Sequence, residues 1–141
     1  MLRKAVLTKQ IYVTVNNEIG VLNKLADYLA DRGINIEAVA GHEVQGTDKA
    51  RIMMVVEDVR RASDALKEKG FTSIDVREEL LVELDNRPGA LKMVTGLLAS
   101  REINIRQIYG TASPGDSPVR VILSTSDNQK ALVALKKSIQ K

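Results

Sequence analysis

Two short segments of the chain combine an asparagine, a glycine and the start of an amphipathic helix. They read N-N-E-I-G-V-L from Asn16 and D-N-R-P-G-A-L from Asp85, 69 positions later. Glycine leaves no side chain in the way, so backbone N–H groups at the helix start can face a carboxylate. An asparagine side chain adds one acceptor and two donors. The residues concerned are Asn17, Gly20, Val21 and Leu22 in the first segment and Asn86, Gly89, Ala90 and Leu91 in the second. The pattern indicates a site for a small molecule that carries a carboxylate and an ammonium group.

Each of these residues also has a purely structural interpretation. An asparagine before a helix is often only a cap, and a glycine in a tight turn often serves only the turn geometry. The same holds for Asn35 and Asn104, which stand in two I-N-I segments at the start of the next strands. Their side chains could simply bond the local backbone.

Other residues that carry chemistry do not form a recognisable catalytic set. His42 is the only histidine, and 69 positions later the chain has Thr111, so no shared catalytic role is indicated. We interpret it as a surface or strand-end residue. Glu79 and Glu83 are expected on the solvent face of a strand. No phosphate-binding loop, dinucleotide fingerprint, serine triad or metal-spaced cluster occurs. We therefore expect a protein that is not an enzyme and needs no cofactor or metal.

Composition narrows the classes further. The chain has 141 residues, 44% of them hydrophobic and 28% charged, which is typical of a globular protein. A net charge of only +3, spread along the chain, argues against nucleic-acid binding. The absence of cysteine fits a reducing compartment. No segment has the roughly 20 apolar residues that span a bilayer, and the start does not resemble a signal peptide. We expect a cytoplasmic protein that does not bind membranes.

The two segments belong to a longer internal repeat. When residue n is aligned with n + 69, positions 16–67 match without a gap at 17 of 52 places. The matches include the two I-N-I segments and the pairs Gly41 with Gly110 and Asp58 with Asp127. A gapless match of this density indicates a duplication.

Within each copy, the hydrophobic period changes from that of a strand to that of a helix and back. Alternation at Ile11, Val13 and Val15 predicts a strand, and the stripe after the Asn/Gly turn predicts a helix. The order is β-α-β-β-α, with a final strand around Thr72–Glu79. The predicted fold is α+β: two tandem ferredoxin-like βαββαβ units with antiparallel sheets and helices on one face. Gly33 stands where a left-handed helix end belongs, whereas the second copy has Glu102 there.

The predicted domains are residues 1–78 and 79–141. The second copy ends in its last helix and lacks a final strand of its own. The 69-residue shift places Arg3–Gln10 over Thr72–Glu79. We therefore expect Leu2–Thr8 to complete the sheet of the second domain.

The residues resemble ACT domains, small βαββαβ modules that sense amino acids. The strongest matching text is L-D-N-R-P-G-A-L-K-M-V-T-G-L-L-A-S-R-E-I-N-I, Leu84–Ile105, which is similar to the regulatory domain of phosphoglycerate dehydrogenase. The first copy lacks the proline but keeps the Asn, the Gly and the I-N-I. In the family, the effector lies between this loop of one unit and the strand start of another. The resemblance therefore implies a ligand site made of Asn86, Arg87, Gly89, Ala90, Leu91 and Asn104, with Asn17, Gly20, Val21, Leu22 and Asn35 in the other copy.

Three functions are compatible with this fold. The leading interpretation is an amino-acid-binding regulator that forms a homodimer and signals to a metabolic enzyme or another regulator. The alternative is a protein-interaction or oligomerisation module that binds no ligand. RNA binding, which some proteins of this topology perform, requires aromatic residues on the central strands. Those strands read R-I-M-M-V-V-E and R-V-I-L-S-T-S, without an aromatic residue.

Overall fold

The computed structural model describes residues 1–112 and 114–139 and divides the chain into two compact units. We call Lys9–Arg77 the first unit, and Met1–Thr8 together with Glu78–Lys141 the second unit. The elements in chain order are β1 (Leu2–Asn16), α1 (Val21–Asp31), β2 (Ile36–Glu43), β3 (Lys49–Val56), α2 (Val59–Glu68), β4 (Ile74–Leu84), α3 (Ala90–Ser100), β5 (Ile105–Ala112), β6 (Val119–Thr125) and α4 (Asn128–Ile139).

The first unit is a four-stranded sheet with two helices on one face. Its strand order is β2-β3-β1-β4, and β3 pairs antiparallel with both β1 and β2. The alternating residues Ile11 and Val13 of β1 and Met54 of β3 are completely buried in one core with Leu25 and Leu29 of α1. The period of two in the strands and of 3.6 in the helices therefore bring the apolar faces together.

The second unit repeats this arrangement, with strand order β1-β4-β6-β5. Leu80 and Val82 of β4 are completely buried against Leu98 of α3 in its core. The core also includes Leu2 and Ala5 of β1, which are 8% and 3% exposed. The start of the chain thus contributes core residues to a unit whose other strands begin more than 70 positions later.

The prediction of two ferredoxin-like units in the α+β class is confirmed. The prediction of a strand around Thr72–Glu79, separate from the strand that contains Leu80 and Leu84, is wrong in one respect. β4 runs without interruption from Ile74 to Leu84, and β1 likewise runs from Leu2 to Asn16. Neither junction contains the glycine, proline or asparagine that a turn needs, so the extended chain simply continues.

The two helix ends before the I-N-I segments have the same left-handed geometry. Gly33 has φ +67°, and Glu102 has φ +58°. The N–H groups of Ile34 and Ile103 return to the carbonyls of Leu29 and Leu98, each at 3.0 Å. The second copy therefore keeps the conformation that glycine favours although it has a glutamate there.

Candidate functional site

The loop between β4 and α3 is built by its own backbone. Asp85 N–H donates to the Met1 carbonyl at 2.8 Å, and Arg87 N–H donates to the Asp85 carbonyl at 3.0 Å. Gly89 is the N-terminal cap residue of α3 with φ +88°, and no side chain caps the helix there. A residue with a Cβ would be strained in that conformation. The glycine thus sets the direction in which the helix leaves the loop.

This loop borders a cavity of about 390 Å³ in the second unit. Four predicted site residues line it: Asn86, Arg87, Ala90 and Leu91. The opposite wall is formed by β5 and β6, chiefly by Ile108, Tyr109, Gly110, Thr111, Val119 and Val121. The cavity has a polar end at the loop and apolar walls made by the helix and the two strands. A small amphipathic molecule fits this distribution of groups.

Close strand approach shapes the far wall of the cavity. A Cβ at Gly110 would lie 2.5 Å from the Arg120 carbonyl oxygen and 3.0 Å from Val121 Cγ2. These two residues belong to β6, whose Val121 pairs directly with Gly110. A side chain here would push β5 and β6 apart. The matched glycine in the repeat therefore has a packing role rather than a role in binding.

The two backbone donors predicted in this loop have different surroundings. Ala90 N–H donates to the Arg87 carbonyl at 3.3 Å and so closes the turn. Leu91 lies in the first turn of α3, where N–H groups have no acceptor within the helix. Leu91 is also 48% exposed at the cavity, as is Ile108 at 43%.

Asp85 holds the loop through charge. Its Oδ1 accepts a hydrogen bond from Arg3 Nε at 2.6 Å, and its Oδ2 lies 3.4 Å from the Met1 ammonium and 3.9 Å from Arg87 Nε. The hydrogen bond from Arg3 is the main cause that lowers the pKa of Asp85 below its ordinary value of 3.8. Asp85 therefore stays ionised and fixes the loop, and it lines the cavity together with Asn86.

The matching loop of the first unit has the same backbone but different side-chain contacts. Gly20 is again the cap residue of its helix, with φ +84°, and Val21 N–H donates to the Glu18 carbonyl at 3.2 Å. Asn17 Nδ2 donates to Glu43 Oε1 at 3.1 Å, which ties the loop to the end of β2. The counterpart of Glu43 in the second unit is Ala112, which has no side-chain acceptor. Asn17 is thus engaged where Asn86 borders a cavity.

The remaining predicted residues of the first copy have other environments. Leu22 is 45% exposed, and Val21 lines a different cavity of about 470 Å³, which lies beside the start of β4. Of the five residues predicted in this copy, the structure therefore places only Val21 at a cavity among those described.

Asn35 and Asn104 lie at the other end of their own sheets. Asn104 precedes β5, whose far end Ala112 pairs with Val119 beside the loop. Seven residues of strand at about 3.3 Å each separate these ends by about 23 Å. Asn104 N–H donates to Ser126 Oγ at 2.9 Å, and Asn35 N–H approaches Glu57 Oε1 at 3.4 Å. Within one unit, the structure therefore does not bring either asparagine to the Asn/Gly loop.

The strand residues of the cavity wall were missed by the sequence prediction. The alternation of β5 contained a signal, since Ile108 stands at an exposed position and is apolar. The prediction that Glu79 lies on a solvent face is wrong, because Glu79 is only 2% exposed. Asn128 Nδ2 approaches Glu79 Oε2 at 3.5 Å and donates to the Glu78 carbonyl at 2.8 Å.

Residues 1–112 and 114–139 contain neither a cluster of metal ligands nor a helix suited to crossing a membrane. In this part of the chain, no group of three or more histidines or carboxylates is placed to hold a metal ion. No helix there is long and apolar enough to cross a membrane.

Comparison with known proteins gives a family and several similar structures. The family of AHAS small subunit-like ACT domains matches residues 11–69 and again residues 80–141. A search of curated proteins finds no match. The crystal structure of protein BT0572 from Bacteroides thetaiotaomicron is 27% identical, with a TM-score of 0.86 over 95% of this chain and 90% of that chain.

Two regulatory subunits of aspartate kinase have a similar fold. The subunit from Thermus thermophilus, in its ligand-free form, is 19% identical, with a TM-score of 0.66 over 96% of this chain and 97% of that chain. The subunit from Thermus flavus is 18% identical, with a TM-score of 0.67 over 97% of both chains. At these identities, the similarity is one of fold.

Proposed function

Because this chain belongs to the family of AHAS small subunit-like ACT domains, we propose that it is a regulatory protein whose second unit binds an amino acid with an apolar side chain. The proposal rests on the cavity that the Asp85–Gly89 loop borders. It combines polar groups at one end with apolar walls, which is the distribution of groups along such an amino acid.

The loop supplies partners for the charged end of the ligand. The Leu91 N–H at the start of α3 and the Asn86 amide donate to the carboxylate, and the helix dipole favours the negative charge there. The Asn86 amide oxygen accepts from the ammonium group. Arg87, which is exposed and lines the cavity, adds a positive charge near the carboxylate.

The strand wall selects the side chain. Leu91 and Ile108 are both apolar and about half exposed at the cavity, and Val119 and Val121 lie deeper. An apolar ligand side chain would remove these surfaces from water, worth about 25 cal/mol per Å². A charged side chain would lose hydration without gaining a partner.

The roles of Asn104 and Asn35 stay predictions. Each lies far from the loop of its own unit, so a role in binding concerns a loop other than its own. The first copy, where Asn17 is bonded to Glu43, supports a structural role for that loop.

The regulated partner is proposed by analogy. The aspartate kinase subunits that share the fold are regulatory subunits, and we propose that this chain likewise acts on a separate enzyme and performs no catalysis itself. A ligand that favours one packing of the chain would shift its population, and a partner that prefers this packing would respond.

The test is a thermal-shift screen of the common L-amino acids, followed by calorimetric titration. A ligand at about 100 times its Kd stabilises the folded chain by about 2.7 kcal/mol. We expect an apolar amino acid to raise the Tm, and the variant Asn86→Ala to bind it about tenfold more weakly through loss of one hydrogen bond to a charged group.

A matched pair of variants tests the location. Ile108→Glu places a carboxylate in the cavity wall and should abolish binding. Val39→Glu changes the counterpart in the first unit, which has nearly the same exposure, 48% against 43%, and should bind normally. If no amino acid raises the Tm, or if Ile108→Glu binds as well as Val39→Glu, this proposal is wrong.

A second candidate function is a protein-interaction module without a ligand. The specific observation is that both units expose equivalent apolar residues, Leu22 and Val39 in one and Leu91 and Ile108 in the other. Val39 and Ile108 lie in the end strands β2 and β5, and Leu22 and Leu91 lie in the first turns of α1 and α3. A homodimer seen by light scattering, lost in Ile108→Glu or Val39→Glu, together with a silent amino-acid screen, would favour this function.

A further inference from the structure

A second cavity, in the first unit, has a different chemical lining. It measures about 470 Å³ and lies beside the Asn/Gly loop of that unit, between the first turn of α1, the start of β3 and the connection from α2 to β4. Its polar lining residues are Thr14, Asn16, Glu18, Lys24, Lys49, Thr72 and Ser73, and its apolar lining residues include Val21 and Phe71.

The charges of this lining have a definite pattern. Two lysines, Lys24 and Lys49, and one glutamate, Glu18, line the same cavity. Lys49 Nζ donates to Asn16 Oδ1 and lies 3.9 Å from Asp48 Oδ1. The Lys49 side chain is therefore held beside the Asn/Gly loop. The complement of two cations and one anion is a molecule with two anionic groups and one cation.

The duplication supplies an internal comparison. The 69-residue shift places Asn16 over Asp85 and Thr72 over Arg3. In the second unit, this position holds the Arg3–Asp85 ion pair at 2.6 Å, with Met1 Cε 3.5 Å from the point where a Gly89 Cβ would be. A carboxylate of the chain itself is therefore bound beside the loop in that copy.

In the first unit, both members of this ion pair are replaced by neutral residues. Asn16 offers an amide and Thr72 a hydroxyl, and neither carries a charge. The cations are instead Lys24 and Lys49, whose counterparts are Met93 and Pro118. The first copy thus presents positive charge and an open volume where the second copy holds its own carboxylate.

We propose that this cavity is a second binding site, for an amino acid with an acidic side chain. Its two carboxylates pair with Lys24 and Lys49, its ammonium group pairs with Glu18, and the hydroxyls of Thr72 and Ser73 donate to the carboxylate oxygens. The site lies in a different unit from the proposed apolar site and does not depend on it.

The test is calorimetric titration of the full chain with L-glutamate and L-aspartate. We expect saturable binding of at least one of them, weakened by added salt because the site is open and the charges are screened. Lys24→Gln and Lys49→Gln should each weaken binding about tenfold, the effect of losing one charge-assisted hydrogen bond. Lys67→Gln, an exposed lysine of α2, is the matched control and should bind normally.

Two comparisons make the assignment specific. Glutarate, which lacks the ammonium group, and inorganic phosphate should bind more weakly than L-glutamate. Ile108→Glu, which blocks the proposed apolar site, should leave L-glutamate binding unchanged. Amide chemical-shift changes should centre on Thr14, Asn16 and Ser73.

The proposal fails if neither acidic amino acid binds, if both lysine variants bind like Lys67→Gln, or if phosphate binds as tightly as L-glutamate. It also fails if Ile108→Glu removes L-glutamate binding, because the ligand would then occupy the second unit. Loss of apolar amino-acid binding alone leaves this site intact, so the two proposals fail separately.

Discussion

Replacing Leu2 by alanine should destabilise the second unit, most of which lies about 80 residues further along the chain. Leu2 is 8% exposed and packs in the core with Leu80, Val82 and Leu98. Leucine-to-alanine changes in cores cost about 2–5 kcal/mol, including the cavity that remains. Leu2 stands at the start of a strand and keeps some exposure, so we expect about 2–3 kcal/mol. This corresponds to a Tm lower by about 10 °C.

The assay is amide hydrogen exchange followed for each unit. Protection should fall in α3 and β6, which pack against Leu2, and much less in Lys9–Arg77. The counterpart of Leu2 is Phe71, which packs against the first core. Phe71→Ala should therefore reduce protection in the first unit. Lys4→Ala, an exposed position of the same strand, should change the unfolding free energy by less than about 0.5 kcal/mol.

Two results would refute this reasoning. The first is a loss of protection in Leu2→Ala that is confined to Lys9–Arg77, which would assign the start of β1 to the wrong core. The second is an unfolding free energy of Leu2→Ala equal to that of Lys4→Ala, which would mean that Leu2 contributes no core packing.

Two further predictions concern backbone strain and charge. Glu102→Gly should stabilise the chain by about 0.5–1 kcal/mol in urea unfolding, since relief of a left-handed conformation exceeds the entropy that glycine adds to the unfolded chain. Gly33→Glu should destabilise the chain, because φ is +67° there although a side chain has space. If both variants changed the unfolding free energy in the same direction, backbone strain at Glu102 would not be the cause. Asp85 has a pKa below 3.8 in the folded chain, so it contributes stability above pH 3.8 that is lost as the pH falls through the lower folded value. Asp85→Asn should therefore lower the Tm at pH 7 and make the Tm fall less steeply as the pH drops below 3.8. Asp64→Asn, a change at an exposed position, should have the same Tm as the unchanged chain at each pH.

The repeat made most of the fold predictable. Alternation at Ile11 and Val13, and at Leu80 and Val82, correctly identified the strand faces that are buried under the helices. The hydrophobic period shows which residues share one face of a strand or helix, and the duplication shows the same pattern in two copies. The difference between Gly33 and Glu102 at the ends of α1 and α3 could also be recognised in the sequence, because the geometry of a helix end depends on nearby residues.

Burial on the opposite sheet face could not be predicted in the same way. Glu79 and its counterpart Gln10 lie one residue before the core residues Leu80 and Ile11, and they are 2% and 0% exposed. Alternation assigns a residue to a face, but contacts from distant parts of the chain decide whether that face meets water. The role predicted for the I-N-I asparagines has a similar dependence on distant parts of the chain. Asn104 was predicted to face the loop of another unit, so no pattern within its own unit reports that contact.

The two Asn/Gly loops show how a duplicated backbone can take on separate chemistry. Both use a glycine with φ near +85° to start a helix, so the backbone donors are the same. In the second copy, Asp85 is held by Arg3, and Asp85 and Asn86 line a cavity together with residues of β5. In the first copy, Asn17 donates to Glu43 at the end of β2, and the cavity of that unit is lined by Glu18 and Lys24. The two copies thus differ in which carboxylate holds the loop, Asp85 in one and Glu43 in the other, and in the residues that line the cavity beside it, so we expect the two cavities to bind different ligands.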